Sequence, residues 1–165
     1  MQAGIAVEPL ARHPEVLAVL RDWFEGEWPA WYGPGGRGSA LHDLTTFASD
    51  VGRLPVGVVA FRGGEVCGVA ALKAESIASH THLSPWAAAG LVRPDLRGHG
   101  IGGLLLAALE RHAHRLGFDA IYCGTSTAQR VLQRSGWTLV EEIVHEGKPL
   151  GIYRKALEAA PQSIA

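Results

Sequence analysis

The chain is poor in several things, and each shortage excludes a class. It holds two cysteines, Cys67 and Cys123, far apart and in no CxxC pair. Neither a disulfide framework nor a thiolate metal site can be drawn from them. Both sit in apolar, strand-like runs and read as buried, reduced thiols. Charged residues make up 19% and leave a net charge of −1, so there is no basic footprint for nucleic acid. No apolar run approaches the about 20 residues of a membrane helix; Gly, Arg or Pro breaks the longest ones. The opening "MQAGIAVEPLARHPEV" has no cationic segment ahead of an apolar run, so no leader and a cytoplasmic setting are expected. Neither a repeat nor a linker interrupts the pattern, so residues 1–165 read as one domain with a frayed tail over 158–165.

What is present is an ordinary globular composition, 47% hydrophobic over 165 residues. "GIAVEPL" (4–10) alternates like a first strand. In "RHPEVLAVLRDWFEGEW" (12–28), Pro14 and Glu15 suit a first helical turn, and Val16, Leu17, Leu20 and Phe24 share a face. "PAWYGPGGRG" (29–38) reads as a loop. Ser39 is placed to cap a helix with Leu41, Leu44 and Phe47 spaced for burial. Residues 55–75 form a hairpin about Gly63–Gly64. "WAAAGLVRP" is a strand ended by Pro94. A helix follows over 103–116, with Leu104, Leu105, Ala108 and Leu109 inward and Gly117 just past its end. "DAIYCG" (119–124), a short helix ending at Gly136, and two strands about Gly147–Lys148 complete the chain. The order predicts an α+β, three-layer domain. Its mixed, mostly antiparallel sheet has about six to seven strands, flanked by about four helices, with one β-α-β crossover.

The densest chemical signal is "LVRPDLRGHGIGGLLLAALERHAHRLGF" (91–118), with four glycines by residue 103. Gly98, Gly100 and Gly103 satisfy a dinucleotide fingerprint. Residues 94–97 separate that loop from its strand, however, and the acid expected about 20 residues on is missing from "AIYCG". Arg97-Gly98-His99-Gly100-Ile101-Gly102 fits better as Arg/Gln-x-x-Gly-x-Gly/Ala. There an arginine opens the turn, glycines let amides approach a pyrophosphate, and a helix N-terminus follows at once.

This stretch resembles motif A of the GNAT superfamily of N-acetyltransferases, and the element order resembles that fold across nearly the whole chain. The resemblance implies acetyl-CoA as co-substrate. Its pyrophosphate would lie on residues 97–103, that is Arg97, Gly98, His99, Gly100, Ile101, Gly102 and Gly103. Its pantetheine arm would lie along Leu91, Val92 and Arg93. The acceptor would be a primary amine of a small molecule or peptide, and "EWPAWYGPGG" lies where the family carries the loop that shapes its pocket. Read from the residues alone, Trp28, Trp31, Tyr32 and Trp86 wall that pocket, form a dimer face, or fold back over the core as a lid. Homodimers are common in the family.

Amine acetylation needs a neutral amine, a polarised thioester and a proton for the departing thiolate. The family's usual acid is a Tyr in Asn-x-x-Ala-x-x-x-Tyr. In "TSTAQRVLQRSGW" Ala128 aligns, but Thr125 takes the Asn position and Leu132 the Tyr position. Three readings stay open: the thiolate leaves unaided; Tyr153, Ser84 or water serves; or the chain is a non-catalytic acyl-CoA-binding module. For the base, Glu75 follows the strand at the sheet's expected centre, and His82 titrates near neutrality. Each competes with a plain reading, Glu75 as a solvated loop carboxylate and His82 as a loop histidine bonded to backbone. Eight histidines include His80-x-His82 and His112-x-His114, but no third ligand is in reach, so no metal is expected.

Overall fold

The alternating first segment and the β-branched runs after residue 55 find each other in one sheet. The computed structural model describes residues 4–157, so the expected frayed tail over 158–165 lies outside the described residues. Strands β1 (Ile5–Pro9), β2 (Val56–Arg62), β3 (Glu65–Lys73), β4 (Trp86–Val92), β5 (Ala120–Thr125), β6 (Thr138–His145) and β7 (Lys148–Ala156) form a seven-stranded sheet in the order β1-β2-β3-β4-β5-β7-β6. Every pairing is antiparallel except β4 with β5. The helices are α1 (Leu17–Glu27), α2 (Pro29–Tyr32), α3 (Ala40–Phe47), α4 (Ile101–Arg115) and α5 (Gln129–Arg134). This is the expected mixed α+β architecture, with five helices among the described residues where about four were expected.

The extra helix is α2, inside the segment read as a loop. Pro29 opens it, which costs no hydrogen bond at that position. The N–H groups of Trp31 and Tyr32 then close on the Trp28 carbonyl at 3.1 and 2.9 Å. Ser39 caps α3 as expected, its Oγ accepting from the His42 N–H at 3.2 Å. The β6–β7 turn falls at Glu146 and Gly147, both at positive φ, one residue before the expected place.

Two apolar layers sandwich the sheet. On one face α4 packs Ile101, Leu105, Ala108 and Leu109 against Val56, Val58 and Leu72. On the other, α1 and α3 bring Leu20, Phe24, Leu44 and Phe47 against Val59, Val69 and Ala71. Strand β2 is buried on both faces, which is why it reads as a continuous apolar run. Leu41 and Leu104, expected inward, are exposed, because Ala40/Leu44/Phe47 and Ile101/Leu105/Ala108 carry the burial instead. The α4 layer is close: a Cβ at Gly68 of β3 would meet Leu105 Cδ1 at 3.0 Å. No helix of the described residues is long and apolar enough to cross a membrane.

Candidate active site

Strands β4 and β5 touch at one end only. Trp86 pairs with Tyr122, and the Tyr122 N–H donates to the Pro85 carbonyl at 3.0 Å. Beyond that point β5 turns its hydrogen bonds to β7 along Ala120–Thr125. Strand β4 bulges away: between Ala71↔Ala88 and Val69↔Leu91 it spends an extra residue, and Ala89 sits at φ 55. Small side chains permit this, and "AAAG" (87–90) supplies them.

The splay opens a cleft of about 620 Å³. Residues 87–92 of β4 form one wall and residues 123–128 the other. Leu105, Leu106 and Leu109 of α4 floor it, Val131 and Leu132 of α5 close the far side, and Glu27 and Trp28 form the rim.

The glycine loop meets the mouth of this cleft. Gly98 and Gly100 both take φ 83, and a Cβ at either would meet nothing within 4 Å. Backbone conformation, not crowding, therefore selects glycine there. Gly100 is the residue preceding α4, with no side-chain cap and no acid in the first turn. The first N–H groups of α4 are thus free for an anion, and the helix dipole favours one. Gly102 and Gly103 lie inside the helix, which begins two residues before the expected start at 103.

The Arg97 Nε donates to the Val92 carbonyl at 3.1 Å, and its Nη2 lies 3.8 Å from Glu27. This fixes a half-exposed cation between the β4 edge and the start of α4. The free helix end, the open β4 edge and the leucine floor together fit a ligand with a pyrophosphate and a long amide arm.

Of the residues expected at the site, the structure brings Leu91, Val92, Arg97, Gly102 and Trp28 to the cleft lining. Gly98, His99 and Gly100 are exposed at the loop, while Ile101 is buried beneath it. The others stand elsewhere. Arg93 points away, held by Asp95 at 2.7 Å and Glu65 at 3.3 Å, while its N–H returns to the Cys67 carbonyl. Trp86 is fully buried, donating its indole N–H to the Leu83 carbonyl at 2.7 Å. Tyr32 donates to Asp43 at 2.7 Å, and burial with that carboxylate pushes its phenol up. Trp31 is exposed and lies against Gly38. Glu75 is exposed and supplies no lining atom. His82 is likewise exposed and stacks on His80, which bonds Ser79 and Glu141. Trp31, Tyr32, Trp86, Glu75 and His82 are therefore not brought together with the cleft.

Other lining groups had weaker signals. Leu132 is buried and contributes to the lining, so the absent phenol is absent at the cleft itself. Thr125 caps the entry to α5, its Oγ1 accepting from the Thr127 and Ala128 N–H groups at 3.1 and 2.9 Å. Its hydroxyl proton remains available to the cleft. Cys123 also lines it, and burial pushes its thiol up to about 12. Tyr153 is buried in the core and does not line the cleft.

Residues 17–137 match the sequence profile described as the acetyltransferase (GNAT) family. A search of curated proteins finds no match. Among solved structures, an aminoglycoside 6'-N-acetyltransferase complexed with coenzyme A is similar, at 15% identity and a TM-score of 0.75 over 95% of this chain and 99% of that one. The aminoglycoside 6'-N-acetyltransferase from Enterococcus faecium gives 16%, 0.74, 95% and 99%. The protein yncA from Salmonella typhimurium, solved with its cofactor acetyl-CoA, gives 18%, 0.72, 97% and 99%. At these identities the likeness is one of fold.

Proposed function

Because the chain belongs to the acetyltransferase (GNAT) family, we propose that it moves the acetyl group of acetyl-CoA to a primary amine of a small molecule or peptide. The amine attacks directly while both reactants occupy the cleft. One observation carries this reading: the open β4 edge and the uncapped, glycine-started N-terminus of α4 meet at the same cleft.

Acetyl-CoA, when bound, supplies an acetyl group already activated as a thioester. The chain's residues do the rest. Amides of residues 101–103 and the Arg97 guanidinium hold the pyrophosphate. The β4 edge at Leu91 and Val92 pairs with the amide arm as an added strand would. The bulge at Ala89–Gly90 turns unpaired backbone into the cleft, where an amide can stabilise charge growing on the carbonyl oxygen. Leu132 can give no proton. The hydroxyls of Thr125, Ser126 and Thr127, or water held by them, and the protonated Cys123 thiol are the proton-bearing groups of that wall. Glu75 and His82, exposed and off the lining, leave deprotonation of the amine to water in the cleft.

The test is thiol release from acetyl-CoA with a panel of amines, with acetylated product identified by mass. Buried Leu132 favours one second reading, an acyl-CoA-binding module. Tight acetyl-CoA binding with no thiol release for any amine would establish that module and sink the transferase.

A further inference from the structure

Among the described residues lining the cleft, Glu27 is the sole carboxylate, Arg97 the sole cation, and they face each other across its mouth at 3.8 Å. Glu27 is oddly placed for helix stability. It ends α1, whose last turn reads Glu25-Gly26-Glu27 and carries no basic residue. Carboxylates there oppose the helix dipole, and Gly26 weakens the turn further. Pro29 has no N–H to offer the Glu25 carbonyl, so the negative end of α1 stays open. Across from it stands the positive end of α4, also uncapped. Two helix ends of opposite sign therefore meet at one mouth. The α4 end suits an anion and the α1 end a cation. Trp28, next to Glu27, lines the cleft with a ring wedged edge-on against Phe24 at 5.1 Å. That aromatic wall suits an apolar body beside a cationic head.

From this juxtaposition we infer that Glu27 is the acceptor's counter-ion, and that the acceptor is a monocationic amine with an apolar body. The inference rests on the transferase reading and narrows its substrate. In this structure Arg97 faces Glu27 at 3.8 Å. When a pyrophosphate takes Arg97, Glu27 is freed for the ammonium, so donor binding prepares the acceptor site. A polycation of the aminoglycoside kind finds one carboxylate here where it would need several.

The test is calorimetric binding of 2-phenylethylamine and of kanamycin to the full chain, with and without CoA. Wild-type protein binds 2-phenylethylamine more tightly with CoA present and more tightly than kanamycin. Glu27→Gln weakens the amine about two- to fivefold and tightens CoA about two- to threefold, as an exposed charge pair allows. Glu27→Asp recovers part of the amine affinity. In turnover, the Glu27→Gln change falls on KM more than on kcat. Amine affinity unchanged in Glu27→Gln, or identical with and without CoA, overturns the role of Glu27. Kanamycin binding more tightly than the monoamine overturns the substrate class. If wild-type protein fails to bind CoA, the transferase reading fails by itself. With CoA bound, the comparison of wild type with Glu27→Gln decides by itself whether Glu27 reads the amine.

Discussion

Two glycines two residues apart should respond to the same substitution with opposite signs. Gly100 stands at φ 83, outside the helix, while Gly102 lies within the first turn of α4. An alanine at Gly100 must either adopt the left-handed region, at about 1–2 kcal/mol, or unwind the turn. With about 2–4 °C per kcal/mol for a chain of this size, Gly100→Ala lowers Tm by roughly 2–8 °C. It also weakens CoA, since the amides proposed to meet the pyrophosphate move with the turn. At Gly102 the backbone is helical, and a new Cβ would lie 3.6 Å from Val131 Cγ2, an ordinary contact. Gly102→Ala therefore gains the usual helical advantage of about 0.5–1 kcal/mol, raising Tm by roughly 1–4 °C. CoA affinity should hold within about threefold, because the anion meets N–H groups that alanine keeps. Differential scanning calorimetry and CoA titration of both variants are the assays. If Gly102→Ala is the less stable variant, or Gly100→Ala binds CoA as wild type does, the assignment of turn and helix start is wrong.

Four further outcomes are expected. Arg97→Ala weakens CoA about tenfold or more, the usual worth of a charge-assisted phosphate contact, read by titration at fixed salt. Leu132→Tyr puts a proton donor at the cleft; kcat rises and the pH–rate profile gains a basic limb near about 10, at a stability cost of about 1–3 kcal/mol for overpacking. Cys123, with its thiol at about 12, resists iodoacetamide at neutral pH in the folded chain and reacts only on unfolding, which mass analysis of the alkylated protein shows. His13 is held above 6.5, first by its bond to Glu15, so its contribution is full below 6.5 and is lost as pH rises through the folded value; His112, desolvated beside Arg115 and Arg111, is held below 6.5, so its contribution is lost as pH falls. Across neutral pH, replacing His13 by Gln should remove a fall in Tm toward high pH, and replacing His112 a fall toward low pH.

Much of the fold was legible because its signals are local. Gly63–Gly64, Ser39, Pro94 and Gly117 punctuate the chain, and each acts within a few residues. Of the cleft, only the side proposed to take the donor was legible, where the glycine pattern and Arg97 are contiguous in sequence. The acceptor side was not, because it is built from places where a strand fails to pair. The bulge at Ala89 shows in sequence only as small residues in a core strand, and the splay from β5 depends on β7 taking those hydrogen bonds. Trp86 and Tyr32 misled for a related reason: large aromatics must be buried somewhere, and here the core claimed Trp86 at the start of β4 while Asp43 claimed Tyr32 at the end of α2. Glu27 gave no signal at all, since a carboxylate ending an amphipathic helix reads as solvated.

The misplacement of the aromatic residues bears on specificity. Had Trp31, Tyr32 and Trp86 walled the cleft, stacking would have dominated acceptor recognition. With only Trp28 at the rim, one carboxylate and a hydroxyl-bearing wall, discrimination must come from charge count and size. A single missing ion pair at a half-exposed site changes binding by only about 0.2–1 kcal/mol, so this arrangement predicts a broad set of amines ranked by net charge. Sharper selection would need groups that the described cleft does not hold. A narrow acceptor profile in the amine panel would therefore point to a second body, such as a partner chain, completing the pocket, and a flat ranking among monoamines to the cleft acting alone.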